Sequence, residues 1–174
     1  DVSDTGTRRE SRDIEPWRIT EQTEHPVRRM LKEAYNADAE MPLVEQIQQI
    51  SNQQALAYWR DHRRDILDSV ADSFLSEYDE FNIGASFRQA AAASIAYSLQ
   101  LRCGLEPELY REDFTEVLNF NTPSTVGELG NAVSMITGQV LRQIEMTIRQ
   151  TERSMEHDRT GVQAERRLSA ARPG

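Results

Sequence analysis

Apolar residues recur at helical spacing along most of the chain, and the points where the period stops or changes phase divide it into segments. The densest is residues 81–105, FNIGASFRQAAAASIAYSLQLRCGL. Its expected helical body, residues 85–103, carries only Arg88 and Arg102 as charges, with Phe87, Ala90, Ala91, Ala92, Ala93, Ile95, Ala96, Tyr97, Leu99 and Leu101 between them. A helix apolar on nearly every face is a buried helix, so this one is expected at the centre of the fold. Asn82 or Ser86 is a candidate N-cap, and Gly104 stands where a left-handed C′ glycine closes the last turn, with Pro107 preventing resumption.

Upstream, residues 26–36 predict a short helix opened by Pro26, with Val27, Met30, Leu31 and Tyr35 on one side and a connection over residues 36–41. Pro42 opens a second helix through Leu43, Ile47 and Ile50, its remaining face mostly Gln and Glu. The period continues through Leu56, Trp59, Arg63, Ile66, Val70, Phe74 and Tyr78, as one long helix or as two abutting ones; a break at residues 61–65 is the favoured reading. Downstream, residues 106–121 predict a helical turn or two, or a brief extended segment. Thr122 as N-cap and Pro123 as first helical residue then start a final helix, with a capping box just inside it at Thr125 and Glu128. That helix keeps Val126, Leu129, Val133, Ile136, Val140, Ile144 and Ile148 in phase and is expected to end near His157, while Gly130, Ser134 and Gly138 form a small-residue stripe expected to admit a neighbouring helix. The fold class is therefore all-α: a single domain over residues 25–157, about five or six helices around residues 85–103. A polar arm (1–24) and a polar tail (158–174) are the expected flexible ends, with Ile14, Trp17 and Ile19 as the arm's anchors and Trp17 docked on its own domain.

Composition changes this picture by exclusion. The 174 residues carry a formal net charge of −9 and a pI near 4.9, against the basic face that nucleic-acid binding needs. A protein partner with a basic surface is the expectation. The lone Cys103 permits no intramolecular disulfide and is expected in the core. No stretch reaches the roughly 18 apolar residues of a membrane span, and no signal peptide stands at the start, so a soluble, cytoplasmic protein is expected. The chain opens without Met, which leaves open that it is a piece of a longer polypeptide.

Candidate chemistry is sparse. His25, His62 and His157 lie in charged surroundings without the spacing of a helical metal pair, and no nucleophile elbow, phosphate loop or C-x-x-C is present. No catalytic residue, metal or cofactor is expected. The one patterned constellation is Asp61, Asp65, Asp68, Asp72 and Asp79, of which the first four would form one acidic stripe on a continuous helix, neighbours about 5–6 Å apart. It reads either as a solvated face, partly neutralised by Arg60, Arg63 and Arg64, or as an imitation of a phosphate row. The second acidic run, Glu106, Glu108, Glu112, Asp113 and Glu116, reads as a solvated loop.

The segments Tyr78-Asp79-Glu80-Phe81-Asn82, Ala90 through Tyr97, Arg102-Cys103-Gly104-Leu105, Phe120-Asn121-Thr122-Pro123 and Leu129 through Ser134 resemble parts of large mosaic proteins of conjugative elements in gut Firmicutes. The resemblance spans residues 78–149. More distantly, Ser94-Ile95-Ala96-Tyr97 looks like the helix after the metal-binding helix of ArdC-type antirestriction proteins. There a zinc-ligating Glu would precede the Ser, where this chain has Ala93, and the H-E-x-x-H helix is missing. The resemblance implies a helical scaffold that has lost its metal chemistry, and no functional residue carries over. The expected function is a non-catalytic acidic interaction domain of a mobile genetic element, of the antirestriction or anti-CRISPR type, that occludes a basic surface of a host defence nuclease. The alternative is a structural or dimerisation module of a larger conjugative-element polypeptide, joining or dimerising other domains through the last helix. A surviving zincin-like enzyme, which would bind zinc, is the third reading.

Overall fold

The computed structural model describes residues 18–107 and 109–170. Two threonines set the first helix. The Thr20 N–H donates to Thr23 Oγ1 at 2.9 Å, so α1 (Glu21–Tyr35) begins before Pro26 and carries it inside. Thr23, Val27 and Leu31 are buried, so part of the stretch expected as a solvated arm belongs to the packed domain. The docking expected of Trp17 falls outside the described residues. Asn36, left-handed at φ 54°, ends α1, and Arg28 Nη2 donates to the carbonyls of Ala39 and Met41, fixing the connection that follows.

α2 (Leu43–Ser69) buries Leu43, Ile47 and Ile50 as their spacing predicts. Gln46, assigned to the polar face by pattern, is also fully buried, and its Nε2 donates to the Asp38 carbonyl at 2.6 Å. The helix kinks at His62 (φ −115°, ψ 17°), inside the expected window, where the Tyr58 and His62 rings stack with centroids 4.1 Å apart. Beyond Ser69 the chain leaves the helix and forms a short 3₁₀ turn, Phe74–Glu77. Phe74 and Tyr78, read from the period as core residues, are therefore at the surface, and Leu75 takes the inward position.

α3 (Glu80–Arg102) starts earlier than either expected cap. Asp79 is the N-cap: Oδ1 accepts from the Asn82 N–H and Oδ2 from Asn82 Nδ2, each at 2.9 Å. Gly104 (φ 70°) closes the other end as expected, with its N–H on Leu101 O and the Leu105 N–H on Gln100 O. Phe87, Ala90, Ala91, Ala92, Ala93, Ile95, Ala96 and Leu99 are buried, whereas Tyr97 and Leu101 look outward. α3 packs against α2, against the later 3₁₀ helix and against α4, which makes it the hub. Its closest approach is at Gly84, where a Cβ would lie 2.6 Å from Trp59 Cζ2.

The ambiguous region forms a 3₁₀ helix, Arg111–Asn119, held by Phe114 edge-on to Tyr97 and by Val117 against the core. α4 (Pro123–Ala170) starts where expected, but its reciprocal bonds join Thr122 and Thr125 (3.0 and 3.3 Å), one turn ahead of the expected box. Thr125 consequently enters the core and Val126 is left exposed, while Leu129, Ile136, Val140, Ile144 and Ile148 pack inward. The Gly130–Ser134–Gly138 stripe admits no helix. A Cβ at Gly130 would meet nothing within 4 Å, and one at Gly138 only Arg142 Nη1 at 3.6 Å. α4 continues past His157 to Ala170, and among its described residues none beyond Ile148 is buried.

The all-α class is thus observed: four α-helices and two 3₁₀ segments, with no strand among the described residues. No helix of the described residues is long and apolar enough to cross a membrane.

Candidate functional site

The kink at His62 and the end of α2 at Ser69 break up the acidic row. Asp61 precedes the kink, Asp65 and Asp68 share the last turns of α2, Asp72 lies in the turn beyond, and Asp79 caps α3, so they do not form one helical stripe. All five are exposed. Asp65 Oδ2 is 3.9 Å from His62 Nδ1, and burial, then Glu128 and Asp65, raise the neighbouring Tyr58 phenol above its ordinary value. Among the described residues, no cation reaches Asp61, Asp68 or Asp72; Arg63 is engaged instead with Glu80 at 2.8 Å, across the α2–α3 junction.

What these aspartates share is the α2–α3 connection. Residues 65–80 hold six carboxylates (Asp65, Asp68, Asp72, Glu77, Asp79 and Glu80) and no Lys or Arg. The connection and the first turn of α3 expose three aromatic side chains: Phe74 at 46 %, Tyr78 at 53 % and Phe81 at 77 %. Phe74 and Tyr78 meet edge to face with centroids 6.2 Å apart. Exposed aromatics are the residues that most often anchor protein interfaces. Their position beside these carboxylates was hidden in the sequence, because Phe74 and Tyr78 fit the apolar period of α2. The signal that would have found them is Ser73, whose hydroxyl accepts the Leu75 N–H and starts a separate turn.

The second acidic run is divided by the 3₁₀ helix. Asp113 Oδ2 accepts the Tyr110 N–H at 2.7 Å, whereas Glu116 turns inward, accepting from Ser86 Oγ and, at 2.8 Å, from Asn119 Nδ2. Glu116 therefore does not belong to a solvated loop, and Glu108 lies outside the described residues. Beside it opens a cleft of about 230 Å³ lined by Leu75, Tyr78, Asn82, Ala85, Ser86, Gln89, Glu116 and Asn119.

Among the described residues, no three His, Cys, Asp or Glu side chains converge in a metal-binding arrangement. His25 and His157 are exposed, and His62 belongs to the kink. Cys103 is buried, and burial pushes its thiol up from 9.0 to about 12, with Arg102 opposing the shift. A thiol held protonated in the fold and freer to ionise when unfolded makes stability full below about pH 9, and that contribution is lost as pH rises toward about 12. Denaturant titrations should show this alkaline decline, flattened in Cys103→Ala, and thiol reagents near neutral pH should label Cys103 only on unfolding.

No family model, curated protein or solved structure matches the chain.

Proposed function

We propose that this chain is a non-catalytic helical interaction domain, and that its α2–α3 connection docks on a basic protein surface. The observation that supports this reading is the pairing of exposed Phe74, Tyr78 and Phe81 with six carboxylates over residues 65–80 and no basic residue between them. Aromatic rings supply buried contact area, and the carboxylates steer a cationic partner and exclude anionic ones. The resemblance to conjugative-element proteins supports an origin in a mobile element, and a host defence nuclease, whose Arg and Lys residues hold nucleic acid, is the partner class with the right charge. The mechanism is occlusion of that surface, cytoplasmic, without cofactor or metal.

The test is capture from a defence-bearing bacterial lysate at low and high salt. Asp65, Asp68 and Asp72 changed together to Lys should abolish salt-sensitive capture and leave the helical circular dichroism signal intact. Asp79 is left out because its carboxylate caps α3, and losing such a cap costs about 1 kcal/mol. Undiminished capture by the triple variant would reject the docking surface.

The long exposed half of α4 favours a second reading, a module that joins or dimerises larger assemblies through that helix. Sedimentation separates the two: a stable homodimer indifferent to nucleases supports the module.

A further inference from the structure

The cleft beside Glu116 has the chemistry of a receptor for one particular side chain. Its floor is a single face of α3, formed by Asn82, Ala85, Ser86 and Gln89 at helical spacing. Leu75 and Tyr78 form one wall, and Glu116 and Asn119 from the 3₁₀ helix the other. The position of Glu116 is fixed: Oε2 accepts from the Ser86 hydroxyl and from Asn119 Nδ2 at 2.8 Å, and Asn119 Nδ2 also lies 3.4 Å from Ser86 Oγ. Both donors are neutral. Among the described residues, no protein donor reaches Oε1 and no cation pairs with the carboxylate.

A positioned carboxylate with one oxygen committed and the other open calls for a cationic donor. No lining residue is basic, so an anion finds no counter-charge, and a metal ion finds a single carboxylate rather than a ligand set. The exposed Tyr78 ring beside it offers a face for a planar cation, and the amide oxygens of Asn82 and Gln89 offer further acceptors. Guanidinium meets all three demands; it is planar, always charged and carries donors on several edges, where ammonium is a compact point charge. At about 230 Å³ the cleft is smaller than the roughly 300–1,000 Å³ of ordinary small-molecule sites, and its size suits one side chain better than a metabolite. Asp79 adds a second carboxylate next to the lining, accepting from Asn82 Nδ2 at 2.9 Å.

We infer that this cleft receives an arginine side chain of the protein partner and is the anchor point of the acidic connection. The inference rests on the basic-partner reading above and narrows it to a residue type and a place. The probe is a short capped peptide with one central arginine, titrated into the isotopically labelled full chain and followed by amide chemical shifts, with the citrulline peptide as control. Citrulline keeps the shape and loses the charge. Saturable shifts at Ser86, Glu116 and Asn119 are expected with the arginine peptide, and affinity at least about tenfold weaker with citrulline, with Glu116→Gln and with Tyr78→Ala. Tyr78→Ala changes an exposed residue, so it keeps the test valid should Glu116→Gln loosen the 3₁₀ helix. Shifts that are absent, spread over the surface, or equal for arginine and citrulline would overturn the inference. The pocket and the docking surface fail separately: a silent cleft together with loss of capture in the triple aspartate variant removes the arginine pocket and leaves the basic partner standing.

Discussion

Phe87→Ala should lower the unfolding free energy by about 3–5 kcal/mol, the usual range for truncating a buried phenylalanine. Phe87 is completely buried on α3, with the rings of Tyr58 at 6.1 Å, Trp59 at 6.2 Å and Phe120 at 5.8 Å. It thus ties α2 to the chain that follows the 3₁₀ helix. The surrounding rings cannot collapse easily into the space left behind, since Trp59 is already pressed against the bare backbone of Gly84. Denaturant titration reads the effect as a lower midpoint at unchanged slope. A loss below about 1 kcal/mol would show that the aromatic cluster repacks around the gap.

The opposite sign is expected at Gln100. Its side chain is fully buried near the end of α3, and among the described residues neither Oε1 nor Nε2 has a hydrogen-bond partner. An amide desolvated without partners costs about 1–3 kcal/mol. Gln100→Met keeps a similar length and removes both polar atoms, so the variant should gain about 1–3 kcal/mol in the same titration. Gln46 provides the internal comparison: its Nε2 is engaged by the Asp38 carbonyl, so only its Oε1 is left without a partner. A destabilised Gln100→Met would mean that buried water bonds the amide.

Sequence reasoning reached most of the fold because helices advertise their inward face. The burial of Phe87, Ile95 and Leu99, the glycine stop at Gly104, the kink near His62 and the proline start of α4 all follow from periodicity and end signals. Errors cluster where a short polar side chain decides between neighbouring residues. Thr20 and Asp79 each moved a helix start away from the expected place, and at α4, which Thr122 and Pro123 start as expected, the reciprocal bonds fall on Thr122 and Thr125 rather than on Thr125 and Glu128. Buried glutamines are illegible for a different reason: Gln46 and Gln100 look like surface residues unless the packing around them is known. The Gly130–Ser134–Gly138 stripe shows the converse, small residues in phase with each other and facing no partner. The aspartates were visible as a row, but the row presumed one unbroken helix. The aromatic residues beside them and the inward turn of Glu116 depend on contacts between segments far apart in the chain, which no local pattern encodes.

α4 joins two thermodynamic regimes in one unbroken backbone. As far as Ile148 its turns melt only with the domain, because the core holds their side chains. The 22 residues from 149 to 170 add about 33 Å of helix at 1.5 Å per residue, with no buried side chain to hold it. Thr151 and Met155, half-buried beside α1, steady its first turns, and beyond them helix propensity alone sustains the exposed rod only marginally. Its outer turns therefore open and close without asking anything of the bundle, and their amide hydrogens are exposed to exchange while those of α3 stay locked. Whatever grips the rod gains its binding energy only after ordering it, so the same helix can report contact by becoming rigid, at no cost to the domain that carries it.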